Sequence, residues 1–97
     1  MAVSDMVYDQ VTLLNGQSMT IVPSVSGHEW VIHNVTLPFG SACELYHTDG
    51  TNEILIANTA TSLLSYNFHV NTSSYYTLKN VSGSTIYASY DGVVMNE

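Results

Sequence analysis

The side chains best suited to chemistry in this chain are histidines and carboxylates in two stretches: His28-Glu29 with His33, then Glu44, His47 and Asp49. A zinc site needs three or four such ligands converging on one point. On a strand, His28 and His33 are an odd number of residues apart and face opposite ways. Glu29 and His33 share a face, but a site there would still need His47 or Glu44 from a neighbouring strand. Ordinary polar side chains are the simpler reading, and no metal or other cofactor is expected. Nucleophilic catalysis needs a Ser or Cys activated by His and an acidic orienting group. The chain is rich in Ser, yet it holds no G-x-S-x-G, no phosphate-binding glycine loop and no H-E-x-x-H. Paired carboxylates for glycoside hydrolysis leave no local signature, but a sandwich of 97 residues has little room for a water-excluding cleft. The expectation is a protein that is not an enzyme.

Composition narrows the partners. A chain of 97 residues builds one modest core, because at this size folding buries only about 60–65% of the unfolded surface. With 45% hydrophobic and 9% charged residues it is too apolar and too weakly charged to stay disordered. Its polar remainder is mostly Ser, Thr and Asn, side chains with little entropy to lose on contact. Lys79 is the only basic residue against eight acidic ones, for a net charge of −7 with His neutral. Nucleic-acid affinity comes largely from Lys and Arg neutralising phosphates, so no nucleic acid is expected as partner. The same shortage excludes a polybasic membrane patch, and no apolar run approaches the roughly 18 residues that span a bilayer. The charge can steer the protein to a basic patch on a partner, or simply keep it soluble and apart from its copies. Met1-Ala2-Val3-Ser4-Asp5 has neither the basic nor the apolar region of a secretory signal, so the protein is expected to stay where it is made or leave by lysis. Cys43 is the only cysteine and alternates with Leu45, as a small core residue would. The triplets at Asn34, Asn71 and Asn80 match the glycosylation pattern but are discounted without a signal.

Turn signals recur at Asn15-Gly16, Ser26-Gly27, Phe39-Gly40, Asp49-Gly50, Ser82-Gly83 and Asp91-Gly92. Between them lie short runs of Val, Ile, Thr, Tyr and Phe, which suit a pleated, half-buried surface. Leu64, Tyr66, Phe68 and Val70 alternate with Ser65, Asn67 and His69 and make the clearest strand. Residues 6–14 read as a strand of ambiguous burial. Over residues 28–36, Trp30 and Ile32 share one face and Val31, His33 and Val35 the other, as in a central strand covered on both sides. Cys43, Leu45 and His47 lead through Asp49-Gly50 to Ile54 and Ile56, a hairpin. Another hairpin is expected to join 75–79 to 85–90, with a last short strand at 93–95. The fold class is therefore all-β, an antiparallel, jelly-roll-like β-sandwich of about eight strands, with an immunoglobulin-like sandwich as the alternative. Its core is expected around Trp30, Ile32, Leu45, Ile54, Ile56, Tyr66 and Phe68. Residues 1–5 read as a flexible N-terminal arm and 6–97 as a single sandwich domain.

Seven tyrosines point to contact rather than catalysis, since exposed Tyr supplies large contact area at low entropic cost. Tyr75, Tyr76, Tyr87 and Tyr90 fall late in the chain, and adjacent Tyr75 and Tyr76 face opposite ways. Leu37-Pro38-Phe39-Gly40 is an apolar loop, tucked under the sandwich or inserted into a partner. Interface candidates are Val3 and Met6 near the N-terminus, Leu37 and Phe39 in that loop, and Tyr75, Tyr76, Tyr87 and Tyr90.

Three segments carry a family likeness: His28-Glu29-Trp30-Val31-Ile32-His33-Asn34, then residues 44–54 from Glu44-Leu45-Tyr46 to Asn52-Glu53-Ile54, then residues 81–92 from Val81-Ser82-Gly83 to Tyr90-Asp91-Gly92. In this order and spacing the chain resembles the capsid decoration, or cement, proteins of tailed bacteriophages. That resemblance implies a virion structural protein on the outer capsid surface, made in the host cytoplasm. It would bind the major capsid protein as a homotrimer and stabilise contacts between copies of it. The alternative is a carbohydrate- or receptor-binding module of a phage tail tip or fibre.

Overall fold

The structure, a computed structural model, describes residues 5–65 and 67–96. These residues form eight strands: β1 (Met6–Leu13), β2 (Ser18–Ile21), β3 (Glu29–Thr36), β4 (Cys43–Thr48), β5 (Glu53–Thr59), β6 (Phe68–Val70), β7 (Tyr75–Asn80) and β8 (Ile86–Asn96). Two four-stranded antiparallel sheets have the orders β1-β8-β3-β6 and β2-β7-β4-β5. The pairings nest. β4 with β5, β3 with β6, β2 with β7 and β1 with β8 make one long hairpin folded about the β4–β5 turn. The contacts β8–β3 and β7–β4 wrap that hairpin into a sandwich. This is jelly-roll connectivity, and the all-β sandwich expected from turn spacing and alternation is the fold observed.

The core lies between the sheets, filled from one side by Ile32, Val35, Val70 and Val94 and from the other by Ile21, Leu45 and Leu78, all essentially without exposure. Each such side chain contributes about 1.5–3 kcal/mol by leaving water. Trp30 is buried and stacks on Tyr90 at a ring distance of 6.4 Å. Its indole N–H is buried without a hydrogen-bond partner. Cys43 is buried as well, and burial pushes its thiol above the ordinary value.

Two bulges alter the facing that simple alternation predicts. In β3 the register shifts between Ile32 and Asn34, so His33 is the extra residue, and Val35 joins Trp30 and Ile32 in the core instead of opposing them. In β5 the register shifts opposite Leu45 and Tyr46, leaving Ile56 without a partner. The expectation that Ile54 and Ile56 belong to the core is corrected. They are 62% and 47% exposed, because β5 is a sheet edge and the edge strand of the other sheet, β6, has only three residues to cover it. Phe68 is half-buried against the core, and Tyr66 lies outside the described residues.

Other elements differ from expectation for reasons of topology. The strand read over 64–70 shrinks to β6, with Leu63 making an isolated bridge to Val35. Strands β7 and β8 are not a hairpin: β7 pairs with β2 and β4, β8 with β1 and β3, and the turn between them crosses from one sheet to the other. The separate strand expected at 93–95 is the end of β8. Strand β2 was not expected at all, although Met19 and Ile21 alternate with Ser18 and Thr20. Of the expected N-terminal arm, residues 1–4 and with them Val3 lie outside the described residues, and the Asp5 carbonyl accepts a hydrogen bond from the Val94 amide, 2.9 Å.

Asn80 ties the open end together. Fully buried, it donates through Nδ2 to the carbonyls of Leu13 (3.0 Å) and Ser84 (2.7 Å), and its Oδ1 accepts from the Ser82 amide (2.9 Å) and hydroxyl (2.7 Å). One side chain thus joins the end of β1, the end of β7 and the turn into β8.

Candidate interaction surfaces

Apart from Asp5, the described carboxylates fall into two groups. On the β4–β5 hairpin, the Tyr46 hydroxyl donates to Glu44 Oε1 at 2.8 Å, and that bond, with the charge of Glu44 and Glu53, pushes the phenol above its ordinary value. Asp49 caps the turn by accepting from the amides of Asn52 (2.8 Å) and Thr51 (2.9 Å), which hold its carboxyl below the ordinary 3.8. Lys79 stands opposite Glu44 in the β4–β7 register. On the other sheet lie Asp9, Asp91, which accepts from Asn34 Nδ2 at 2.8 Å, and Glu29, which lies 4.0 Å from His69 and accepts from Asn96 Nδ2 at 3.3 Å.

The histidine and carboxylate stretches do not assemble into a metal centre: among the described residues no three His, Cys, Asp or Glu side chains gather. His33 is displaced by its bulge, and His47 bonds Ser74 Oγ at 2.7 Å while packing on the Tyr76 ring. The candidate interface residues separate. Leu37 is buried and exchanges hydrogen bonds with Ser62, so the loop is tucked at Leu37 and bare at Phe39, which is 92% exposed. Tyr90 is buried against Trp30, which corrects its expected role as an interface residue, because its position on central β8 faces the core. Tyr75 and Tyr76 are half-buried, Tyr76 between His47 and Phe68. Met6 and Tyr87 are exposed with Tyr8 on the outer face of the β1–β8 pair.

Two further features were not singled out in the sequence. At one edge of the sandwich β1 and β2 leave an open cleft of about 390 Å³, with Val11, Leu13 and Met19 at its floor and Asp9, Thr12, Gln17, Ser18 and Thr20 around it. At the opposite edge β5 exposes Ile54, Leu55 and Ile56 in succession. The apolar triplet was visible in the sequence, but its exposure depends on the shortness of β6.

No protein-family model and no curated protein matches the chain. Solved structures share its fold. The nucleoplasmin-like N-terminal domain of Drosophila FKBP39 superposes with a TM-score of 0.57 at 10% identity, covering 92% of this chain and 89% of that one. The Drosophila NLP core superposes with a TM-score of 0.55 at 16% identity, covering 96% and 100%; its structure is described as giving insight into pentamer formation and histone binding. These likenesses correct the expectation of a trimeric capsid decoration protein bound to a major capsid protein. The neighbours are nucleoplasmin-like domains rather than phage head proteins, and the assembly named for one of them is a pentamer. At these identities the chain is shown to be similar to nucleoplasmin-like sandwiches in fold.

Proposed function

We propose that this chain is a non-catalytic, self-assembling acidic sandwich that binds basic polypeptides. The observation that carries the reading is charge: eight acidic residues against Lys79 alone, a net −7 on 97 residues. Carboxylates stand on both sheets, at Asp9, Glu29 and Asp91 on one and at Glu44 and Glu53 on the other. A Lys- or Arg-rich partner would therefore meet negative potential from either face, which raises its association rate and selects against acidic competitors. The fold likeness to the NLP core, a protein linked to histones and pentamers, supports the same partner class and a ring as the assembled form. Ring assembly multiplies the field, since several copies engage one basic chain at once.

The test is calorimetric titration of the purified chain with a core-histone mixture and, in parallel, with poly-L-lysine. Binding is expected at low salt and should be lost toward about 1 M salt, where the screening length falls to about 3 Å. Absence of heat and of complex at low salt with both probes would overturn the reading.

A further inference from the structure

We infer that the bare β5 edge of one copy seats in the β1–β2 cleft of a second copy, so that the chain assembles head to tail. The inference rests on the self-assembly proposed above and names the surfaces that make it. Jelly-roll connectivity puts β1 and β2 together at one edge of the sandwich and β5 at the other. A contact between opposite edges is heterologous, and a heterologous contact whose rotation closes gives a ring.

Neither β5 nor β2 carries a Lys or Pro, although β5 is bulged at Ile56 and β2 is only four residues long. Monomeric sheets guard their edges with Lys, Pro or covering loops. Between Glu53 and Thr59, β5 offers Ile54, Leu55 and Ile56 to solvent, and β2 offers Ser18 and Thr20 above the buried Met19. The cleft offers β5 the apolar side chains of Val11, Leu13 and Met19, with Thr12, Gln17, Ser18 and Thr20 around them and Asp9 as its one carboxylate.

Charge decides the occupant. Two copies at −7 each repel, so a self-contact forms only where carboxylates are sparse. Residues 10–27, which include β2 and most of the cleft, contain no Asp, Glu, Lys or Arg, and neither do residues 54–78, which include β5 after its first position. Asp9 and Glu53 stand at the rims. A basic partner would be drawn to the carboxylates elsewhere, whereas these two edges, neutral apart from Asp9 and Glu53, suit each other.

The experiment compares the solution mass of the unaltered chain with that of two variants by light scattering coupled to size exclusion. The first is Ile54→Glu with Ile56→Glu and the second is Thr20→Glu. All three positions are exposed, and circular dichroism checks each fold. An oligomeric parent with both variants reduced to monomers is the expected result. Mixing the two variants should then give a heterodimer, because the intact β5 edge of the Thr20 variant meets the intact cleft of the other. Oligomers that survive both substitutions would overturn the proposed contact while leaving self-assembly standing. Variants that dissociate but give no heterodimer on mixing would overturn the head-to-tail arrangement. A monomeric parent would overturn self-assembly and this contact together, and histone binding would be judged by its own titration.

Discussion

Among single residues, Asn80 illustrates how little of a position's role its local sequence reveals. In sequence it opens an Asn-x-Ser triplet, and in the structure it is a buried crosslink whose four hydrogen bonds reach the end of β1 and the turn into β8, so it offers nothing to a glycosylating enzyme in the folded state. Asn80→Ala removes the side-chain donor to the Leu13 carbonyl and one of the two donors to the Ser84 carbonyl and should cost about 1–3 kcal/mol, read as a lower urea midpoint; an unchanged midpoint contradicts the crosslink. Trp30, Ile32 and Leu45 were readable as interior positions because large apolar side chains in alternating runs have few other places to go. Tyr90 was not, since a phenol suits an interface as well as a core. Burial and the charge of Asp9 push the Tyr90 hydroxyl above its ordinary 10.0. A folded-state pKa above the unfolded one adds stability below the unfolded value and loses it as pH rises through the folded value. Thermal melts should therefore weaken above about pH 10, and the loss should be smaller in Tyr90→Phe. Equal alkaline loss in both proteins contradicts the assignment.

At the scale of elements, period-two reasoning succeeds where a strand is regular and fails where one residue is inserted. The bulge at His33 moves Val35 from one face to the other, and the bulge at Ile56 breaks the shared face expected of Ile54 and Ile56. Neither insertion has a local signature, because the partner strand determines where the ladder skips. The expected hairpin of β7 and β8 failed differently: a short polar turn looks the same whether it returns within a sheet or crosses to the other. Gly92 shows the tightness of the central pairing. It lies opposite Ile32 where β8 meets β3, and a Cβ there would collide with the Val31 carbonyl and the Ile32 backbone. Gly92→Ala should force β8 away from β3 and destabilise by about 1–3 kcal/mol or more, with faster hydrogen exchange at the β3 and β8 amides. Retained stability and protection would mean the two strands are not packed this closely.

For the whole molecule, the fold class was readable because evenly spaced turns and short β-rich runs leave few architectures for one small core. The biological setting was not: a jelly-roll sandwich serves many functions, and likeness in turn-bearing segments reflects the sandwich as much as any role. What survives from sequence to the proposed function is the charge and its distribution, seven net negatives with two stretches free of charged residues at 10–27 and 54–78, of which β2 and β5 form opposite edges of one sheet. On the proposed reading, these stretches let like-charged copies meet, while the carboxylates remain available to a basic partner. The central proposal is that such copies form a closed ring, and the mass of the unaltered chain in solution tests it most directly. A ring with the five copies named for the NLP core would weigh about 53 kDa, five times the 10.6 kDa chain, independent of protein concentration over the micromolar range, and that is the proposed outcome. A mass of 10.6 kDa at every concentration would contradict it.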